Sequence, residues 1–259
     1  MSDVVSIFDF SGIYDEESFY REDKGSSFYT QFCLIDCKDI SGTNCMCDDL
    51  AIEEIRQKIK QNDVRSEGIH FIDSGNYHYM SAILTENIDE PFSLIVLDHH
   101  PDMQPPMFGD ILSCGGWVLK VIENNPFVRD IHIIGADRGL IDKLYEEDKK
   151  RVTFYDIDAL NEGEDWTKII DLQHPVYLSI DKDVITRDEI ITNWDQGEMK
   201  SERLLAFVKE LRAVHRVIGI DICGECAPDQ EGINVSEAIK GNDEFNRQLL
   251  VCLETESER

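Results

Sequence analysis

Short apolar runs recur along the chain, and each has the length of a buried β-strand. Runs of about five residues rich in Val, Ile and Leu are typical of strands covered on both faces. The clearest runs are Ile69–Ile72, Ser93–Leu97, Ile131–Ile134, Val152–Tyr155, Val176–Ile180 and Val217–Ile220. Two further strands are predicted near the start of the chain, at Val4–Phe8 and Gln31–Ile35.

The segments between these strands carry apolar residues at helical spacing. Asp48–Gln61 has the pattern of a helix with one buried face, with apolar residues at Leu50, Ile52, Ile55 and Ile59. Ser201–Val214 shows similar spacing and begins with serine, which is favoured at helix N-termini. Further helices are predicted at Trp117–Glu123, Leu140–Glu147 and Asn242–Glu254.

This alternation of strands and helices predicts an α/β fold. Strands of about five residues separated by roughly 10–20 residues that contain a helix form βαβ units with parallel strands. We therefore predict a three-layer α/β/α arrangement with a mainly parallel sheet, in one domain spanning residues 1–259. The polar and aromatic segment Ser11–Lys24 is expected to be a loop or lid near a sheet edge, and the acidic tail Glu254–Arg259 is expected to fray.

Charge and cysteine content narrow the choice of partners and compartment. The chain has 53 acidic and 25 basic residues, a formal net charge of −28. Such a surface repels nucleic acids and anionic membranes, and it attracts cations. We find no apolar run long enough to span a membrane and no basic segment typical of a secretory signal. The eight cysteines are therefore expected to be reduced thiols in the cytoplasm.

Acidic and imidazole side chains follow directly after four of the predicted strands. Ligands of open parallel sheets bind at the carboxyl ends of strands, so these residues are expected to meet at one edge. The strand Ser93–Leu97 leads into Asp98, His100 and Asp102, and Val176–Ile180 leads into Asp181 and Asp183. Ile69–Ile72 leads towards His78, and Val217–Ile220 towards Glu225.

The spacing of these residues predicts a metal site. Alternate side chains of an extended segment point the same way, so Asp98, His100 and Asp102 should converge. Several carboxylates in one buried site need counter-charge, which two divalent cations supply. Mixed imidazole and carboxylate ligands suit Mn²⁺, Fe²⁺, Co²⁺ or Zn²⁺, and the lack of thiolates in the set favours manganese. A single aspartate after a strand is more often a helix cap or turn residue, but capping does not call for histidine.

Two neighbouring features are given other interpretations. His99 is expected to point away from its metal-binding neighbours, because adjacent side chains of an extended segment face opposite sides. Cys223 and Cys226 have the CxxC spacing of a zinc site, but no second CxxC accompanies them, so a structural zinc is not favoured.

These residues resemble the metal-binding signatures of the ureohydrolase family, which includes arginase, agmatinase and formimidoylglutamase. The matching segments are Gly75–His78, Asp98–Asp102 and Ser179–Asp183. The resemblance implies a binuclear manganese centre. One ion would bind His78, Asp98, Asp102 and Asp181, and the other would bind Asp98, His100, Asp181 and Asp183.

The resemblance also implies a reaction. A hydroxide bridging the two ions would attack a small cationic guanidino or amidino substrate and break a C–N bond. Asp183 would orient this hydroxide and pass a proton to the leaving amine. Glu225 would hold the guanidinium of the substrate, with a solvated loop glutamate as the alternative. Homo-oligomers are common in the family, so one is possible here.

Several segments depart from the family pattern. The segment 103–117 lacks the histidine that arginases use as a proton shuttle, and no Asp-Pro follows Asp183. The loop Asn193–Met199 replaces a Gly-Gly turn. The missing histidine leaves open a metal-binding member that has lost catalysis and acts as a regulator or scaffold. A deacetylase-like amide hydrolase, which shares this architecture, is a second alternative, although Asp102 and Asp183 argue against it.

Overall fold

The computed structural model describes residues 4–21, 31–157 and 170–254, which contain two β-sheets. The strands are β1 Val4–Asp9, β2 Gln31–Asp36, β3 Met46–Cys47, β4 Gly68–Phe71, β5 Phe92–Leu97, β6 Leu112–Ser113, β7 Val128–Ile134, β8 Thr153–Tyr155, β9 Val176–Asp181 and β10 Val217–Cys223. The larger sheet has the order β2-β1-β4-β10-β9-β5-β7-β8, and every pairing in it is parallel. The short strands β3 and β6 pair antiparallel beside it.

Helices cover both faces of the larger sheet. They are α1 Asp49–Gln61, α2 Met80–Thr85, α3 Trp117–Asn124, α4 Arg138–Ile141, α5 Glu146–Lys149, α6 Ser201–Val214 and α7 Val235–Glu254. Alternate residues of β5 belong to two separate hydrophobic clusters. Leu94 and Val96 pack in the cluster that contains α1, α2 and α3, while Ile95 and Leu97 pack in the cluster that contains α6 and α7. The predicted three-layer α/β/α fold with a parallel sheet is confirmed.

The predicted strands agree closely with the structure, whereas several helices do not. The helix predicted at Leu140–Glu147 is wrong: the Asp137 side chain caps the single turn α4 by accepting a hydrogen bond from the Leu140 amide, and a separate turn, α5, follows. The last helix begins at Val235 instead of Asn242. Helix α2 was missed because residues on all its sides are buried, which leaves no amphipathic stripe to detect.

The segment expected to be a loop or lid is tied to the body of the protein. Ile13 and Tyr14 are fully buried, and the Ser18 and Phe19 amides donate to Asp243 of α7 at 2.7 and 2.6 Å. Residues 22–24 of that segment and residues 255–259 of the acidic tail lie outside the described residues. Among the helices that the structure describes, none is long and apolar enough to cross a lipid bilayer.

Candidate metal centre

The candidate site lies at the ends of four neighbouring strands of the sheet. Strands β4, β10, β9 and β5 are adjacent in the sheet order. Because they are parallel, their carboxyl ends lie along one edge. The residues that follow these ends form two clusters with one shared carboxylate, at the base of a cavity.

The first cluster surrounds the Nδ1 atom of His78. This nitrogen lies 3.2 Å from Asp98 Oδ2, 3.0 Å from Asp102 Oδ2 and 3.5 Å from Asp181 Oδ2. All four residues are buried.

The second cluster surrounds the Nδ1 atom of His100. It lies 2.8 Å from Asp183 Oδ2 and 3.5 Å from Asp98 Oδ1. Asp98 therefore offers one oxygen to each cluster. The structure brings together all six residues that the sequence analysis selected as metal ligands.

The geometry of the two clusters fits divalent cations. Two ligand atoms about 2.1 Å from an ion and about 90–110° apart are separated by roughly 3.0–3.4 Å, close to the distances measured around His78 and His100. His78 Nδ1 and Asp98 Oδ2 are buried and lack a hydrogen-bond partner. Buried polar atoms without a partner are costly, and a cation between them would satisfy both.

A chain of hydrogen bonds fixes which nitrogen of His78 faces the carboxylates. His78 Nε2 lies 2.9 Å from Ser179 Oγ, and Ser179 Oγ donates to Asp221 Oδ1 at 2.7 Å. Ser81 Oγ donates to the same Asp221 oxygen at 3.0 Å. With the Ser179 proton directed to Asp221, Nε2–H donates to Ser179 and the Nδ1 lone pair is left for a cation.

The ligands converge through tight turns, which corrects the expectation of an extended segment. Asp102 has a left-handed backbone, with φ of 47°, and its Oδ2 accepts a 2.7 Å hydrogen bond from Trp117 Nε1. Asp183 lies in a 3₁₀ turn that follows β9, and its amide donates to Asp181 Oδ1 at 2.9 Å. Aspartate tolerates the left-handed conformation better than most residues.

Burial and mutual repulsion alter the acidity of the carboxylates. Burial first, and then the Asp183 and Asp98 carboxylates, raise the pKa of Asp181 to about 7. Burial and Asp98 raise the pKa of Asp183 to about 6. Burial and this repulsion both disfavour ionised carboxylates here, and bound cations would offset both effects.

Glu225 occupies a different place from the one expected for a substrate-binding residue. Its side chain has no exposure, and Oε1 lies 2.5 Å from the Nζ atom of the equally buried Lys182. Asn246 Nδ2 of α7 donates to the same oxygen at 2.8 Å. Glu225 is absent from the described residues that line the cavity. This corrects the expectation that it faces the substrate: its carboxylate already neutralises a buried ammonium ion.

The cavity above the clusters has a volume of about 250 Å³ and largely apolar, sulfur-rich walls. The wall residues beyond the ligands include Cys45, Met46, Pro105, Met107, Ile111 and Cys114. Trp194 lies at the rim, where its Nε1 donates to Asn76 Oδ1 at 2.9 Å. Sequence reasoning missed Trp194 because this loop matches no family pattern. His99 lines another cavity, beside Gly135 and Gly197, and so faces away from the metal clusters as expected.

Cys223 is a further residue of the centre that sequence reasoning missed. Its Sγ lies 3.1 Å from Asp181 Oδ2, and Cys223 forms a third potential metal-binding group with His78 and Asp181. No thiol was expected in the set, whereas the structure places the Cys223 sulfur beside Asp181 and His78. Cys226 is absent from the potential metal-binding groups of the described residues. The position of Cys223 at the end of a strand was the available signal.

Fold and site together define the class to which the protein belongs. A parallel sheet between two helical layers is the fold of the solved ureohydrolases. The structure resembles formimidoylglutamase from Bacillus subtilis (TM-score 0.69, 13% identity, covering 98% of this chain and 87% of that one). It also resembles proclavaminate amidino hydrolase from Streptomyces clavuligerus (0.68, 15%, 97% and 92%) and formiminoglutamase from Trypanosoma cruzi solved with Mn²⁺ (0.69, 12%, 98% and 94%).

Sequence comparison then gives the family. A sequence model described as the arginase family matches residues 14–239. An uncharacterized protein of Thermotoga maritima is 30% identical over 241 residues, which cover 90% of this chain and 87% of that protein. The chain belongs to the arginase family. The low identity to the solved structures makes it a divergent member.

Proposed function

We propose that the protein is a binuclear metal hydrolase that cleaves a C–N bond of a small linear amidine or guanidino compound. The observation that carries this proposal is the pair of clusters around His78 and His100, which share Asp98 at the base of one cavity. Hydrolysis of amidine C–N bonds is the activity of arginase-family members, and one similar structure contains Mn²⁺.

The residues of the centre would have different roles in this reaction. His78, Asp98, Asp102, Asp181, His100 and Asp183 would hold two divalent ions, with Mn²⁺ the first choice by family resemblance. The ions, when bound, would supply an activated water for attack on the planar amidine carbon. Asp183, at the cavity wall, would accept the proton of that water and deliver it to the leaving amine.

The walls of the cavity favour a substrate with a short apolar body. Apart from the metal-binding residues, the described lining contains no Lys, Arg, Asp or Glu. The carboxylate and ammonium of an amino acid would lose hydration against Met46, Met107 and Ile111 without gaining charged partners. A cationic amidine with an apolar body would bury no such pair of charges, and the field of a strongly acidic protein would attract it.

Metal analysis and product detection test the proposal. Protein loaded with Mn²⁺ would be assayed for urea, ammonia or formamide release from a panel of guanidino, amidino and formimino compounds, and for acetate release from acetylated amines. We expect two ions per chain and C–N cleavage of an apolar amidine. Asp181→Ala should lose both ions, because the family resemblance assigns Asp181 to both.

Other outcomes favour the remaining functions. Acetate release with one zinc per chain would indicate a deacetylase-like enzyme. Two ions without turnover across the panel would favour a regulator or scaffold, an alternative supported by the absence of a shuttle histidine in segment 103–117. Retention of both ions by Asp181→Ala would contradict the ligand assignment.

A further inference from the structure

The metal centre has unlike chemistry on its two sides. The His100 side contains Asp98 and Asp183, so nitrogen and oxygen are its only donors in the described residues. The His78 side also contains Cys223. Cys223 is the last residue of β10 and lies directly opposite Asp181 of β9, so the pairing of two central strands fixes its place.

The sulfur of Cys223 approaches the atoms that face a cation on this side. Sγ lies 3.1 Å from Asp181 Oδ2, and the same oxygen lies 3.5 Å from His78 Nδ1. One potential ligand atom from each of Cys223, His78 and Asp181 lies within 4.8 Å of the other two. His78 Nδ1 is buried and has no hydrogen-bond partner, which independently indicates that this space takes a cation.

We propose that the Cys223 thiolate is a ligand of the ion on the His78 side, together with His78 and Asp181. This inference rests on the proposed metal centre. On binding, the S–H bond breaks, a metal–sulfur bond forms and the proton leaves to solvent. Cys223 has no exposure, so the thiolate is stabilised by the ion instead of by water.

A thiolate ligand changes the metal preference of one side only. Thiolates select zinc, iron and cobalt over manganese, whereas carboxylates suit manganese. The His78 side is therefore expected to prefer a thiophilic metal such as zinc. The His100 side is expected to prefer a metal that suits oxygen ligands, such as manganese. The centre is expected to hold two different metals when both kinds are offered.

Gly224 lets the strand end approach so closely. Its φ is +92°, and a Cβ atom there would lie 2.5 Å from Asp181 Oδ1 and 2.7 Å from the Lys182 amide nitrogen. A side chain at this position would push the end of β10 away from β9. Glycine therefore allows Cys223 and Asp181 to share one side of the centre.

Cobalt spectroscopy tests the proposal on the intact chain. Metal-free protein would be titrated with Co²⁺, the bound ions counted and the near-ultraviolet absorption recorded. We expect two ions and a sulfur-to-cobalt charge-transfer band. Cys223→Ser should lose the band and bind zinc less preferentially over manganese. The matched control is Cys226→Ser, which replaces the other buried cysteine of the CxxC pair and should keep the band.

The cavity thiols provide the second control. Cys45 and Cys114 line the same cavity, so a variant carrying Cys45→Ser and Cys114→Ser should keep the band, and this result stands even if Cys223→Ser fails to fold. Loss of the band in that variant would overturn the proposal. Two bound cobalt ions without a band in the wild type would overturn it and leave the proposed function intact. A wild type that binds no cobalt would overturn both.

Discussion

Ser179 governs which nitrogen of His78 faces the carboxylates. It accepts from the imidazole and donates to the buried Asp221. Residues that orient a metal-binding histidine in this way typically contribute a factor of about 10–100 to metal affinity. The alternation of residues in β9 placed Ser179 and Asp181 on one side of the strand, but only the structure shows the contact with His78.

Replacing Ser179 should therefore weaken metal binding without removing a ligand. We expect Ser179→Ala to lower affinity for the ion on the His78 side by about 10- to 100-fold, measured by titration of metal-free protein. Ser66→Ala is the control, because Ser66 is also buried but donates to the Leu84 carbonyl away from the centre. Equal affinities in Ser179→Ala and the wild type would contradict the assigned tautomer.

His70 links the stability of the protein to pH. This residue of β4 is buried, and burial lowers its pKa to about 4. In the unfolded chain its pKa is about 6.5. Between these values the unfolded state binds a proton that the folded state does not, so stability falls as the pH is lowered.

The contribution of His70 can be isolated by comparing pH slopes. The loss from pH 7 to pH 4 should approach about 3 kcal/mol. Urea unfolding of wild type and His70→Gln, both with chelator, would measure it. The wild type should lose more stability than the variant over this range. Parallel stability profiles would show that His70 is protonated equally in both states.

At the scale of elements, the backbone at the end of β10 determines which of its residues face the metal centre. Cys223 and Gly224 both lie against the metal-binding residue Asp181. The next residue, Glu225, points the other way and forms an ion pair with Lys182. The same split occurs after β9, where Asp181 and Asp183 face the cavity and Lys182 faces the interior. The two strand ends are therefore joined by an ion pair behind the metal centre.

A methyl group at Gly224 should disrupt the packing of the end of β10 against the end of β9. We expect Gly224→Ala to displace Asp181 and reduce bound metal, because the new Cβ would overlap Asp181 Oδ1. Gly232→Ala is the matched control: Gly232 also has positive φ, +76°, but nothing lies within 4 Å. The control should lose about 1 kcal/mol from backbone strain and keep its metal. Metal counts and urea unfolding would distinguish the two, and full metal content in Gly224→Ala would refute the steric argument.

At the scale of the whole molecule, the acidic surface and the metal centre both favour the binding of cations. A net charge of −28 raises the local concentration of cations around the protein. It also opposes folding through self-repulsion, which bound divalent ions would relieve. The absence of nucleic-acid and membrane partners, the cytoplasmic location and the possible homo-oligomer stay predictions.

Removal of metal should lower the stability of the whole chain. A ligand at about 100 times its Kd stabilises the folded state by about 2.7 kcal/mol, which corresponds to roughly 5–10 °C in Tm for a protein of this size. Calorimetry with Mn²⁺ and with EDTA would measure the shift. Asp181→Ala should show little change between the two conditions. An unchanged Tm in the wild type would argue against ions bound to the folded state.

The sequence by itself determined the sheet, the layers and the edge at which the site lies. Apolar runs such as Ser93–Leu97 and Val176–Ile180 carry the strand signal locally, and the parallel topology follows from the helices between them. Placement of Asp98 and Asp181 at one edge then follows from the direction of the strands. These features depend on short-range patterns, which a single sequence contains.

The tertiary structure alone decided the contacts made by each side chain. Glu225 pairs with Lys182 and Asn246, and Cys223 joins Asp181, because neighbouring strands and α7 bring distant segments together. Asp102 turns towards His78 through a left-handed backbone that no periodicity predicts. Side-chain direction after a strand end depends on turn geometry and on long-range partners, so the sequence could place these residues near the site but could not assign their contacts.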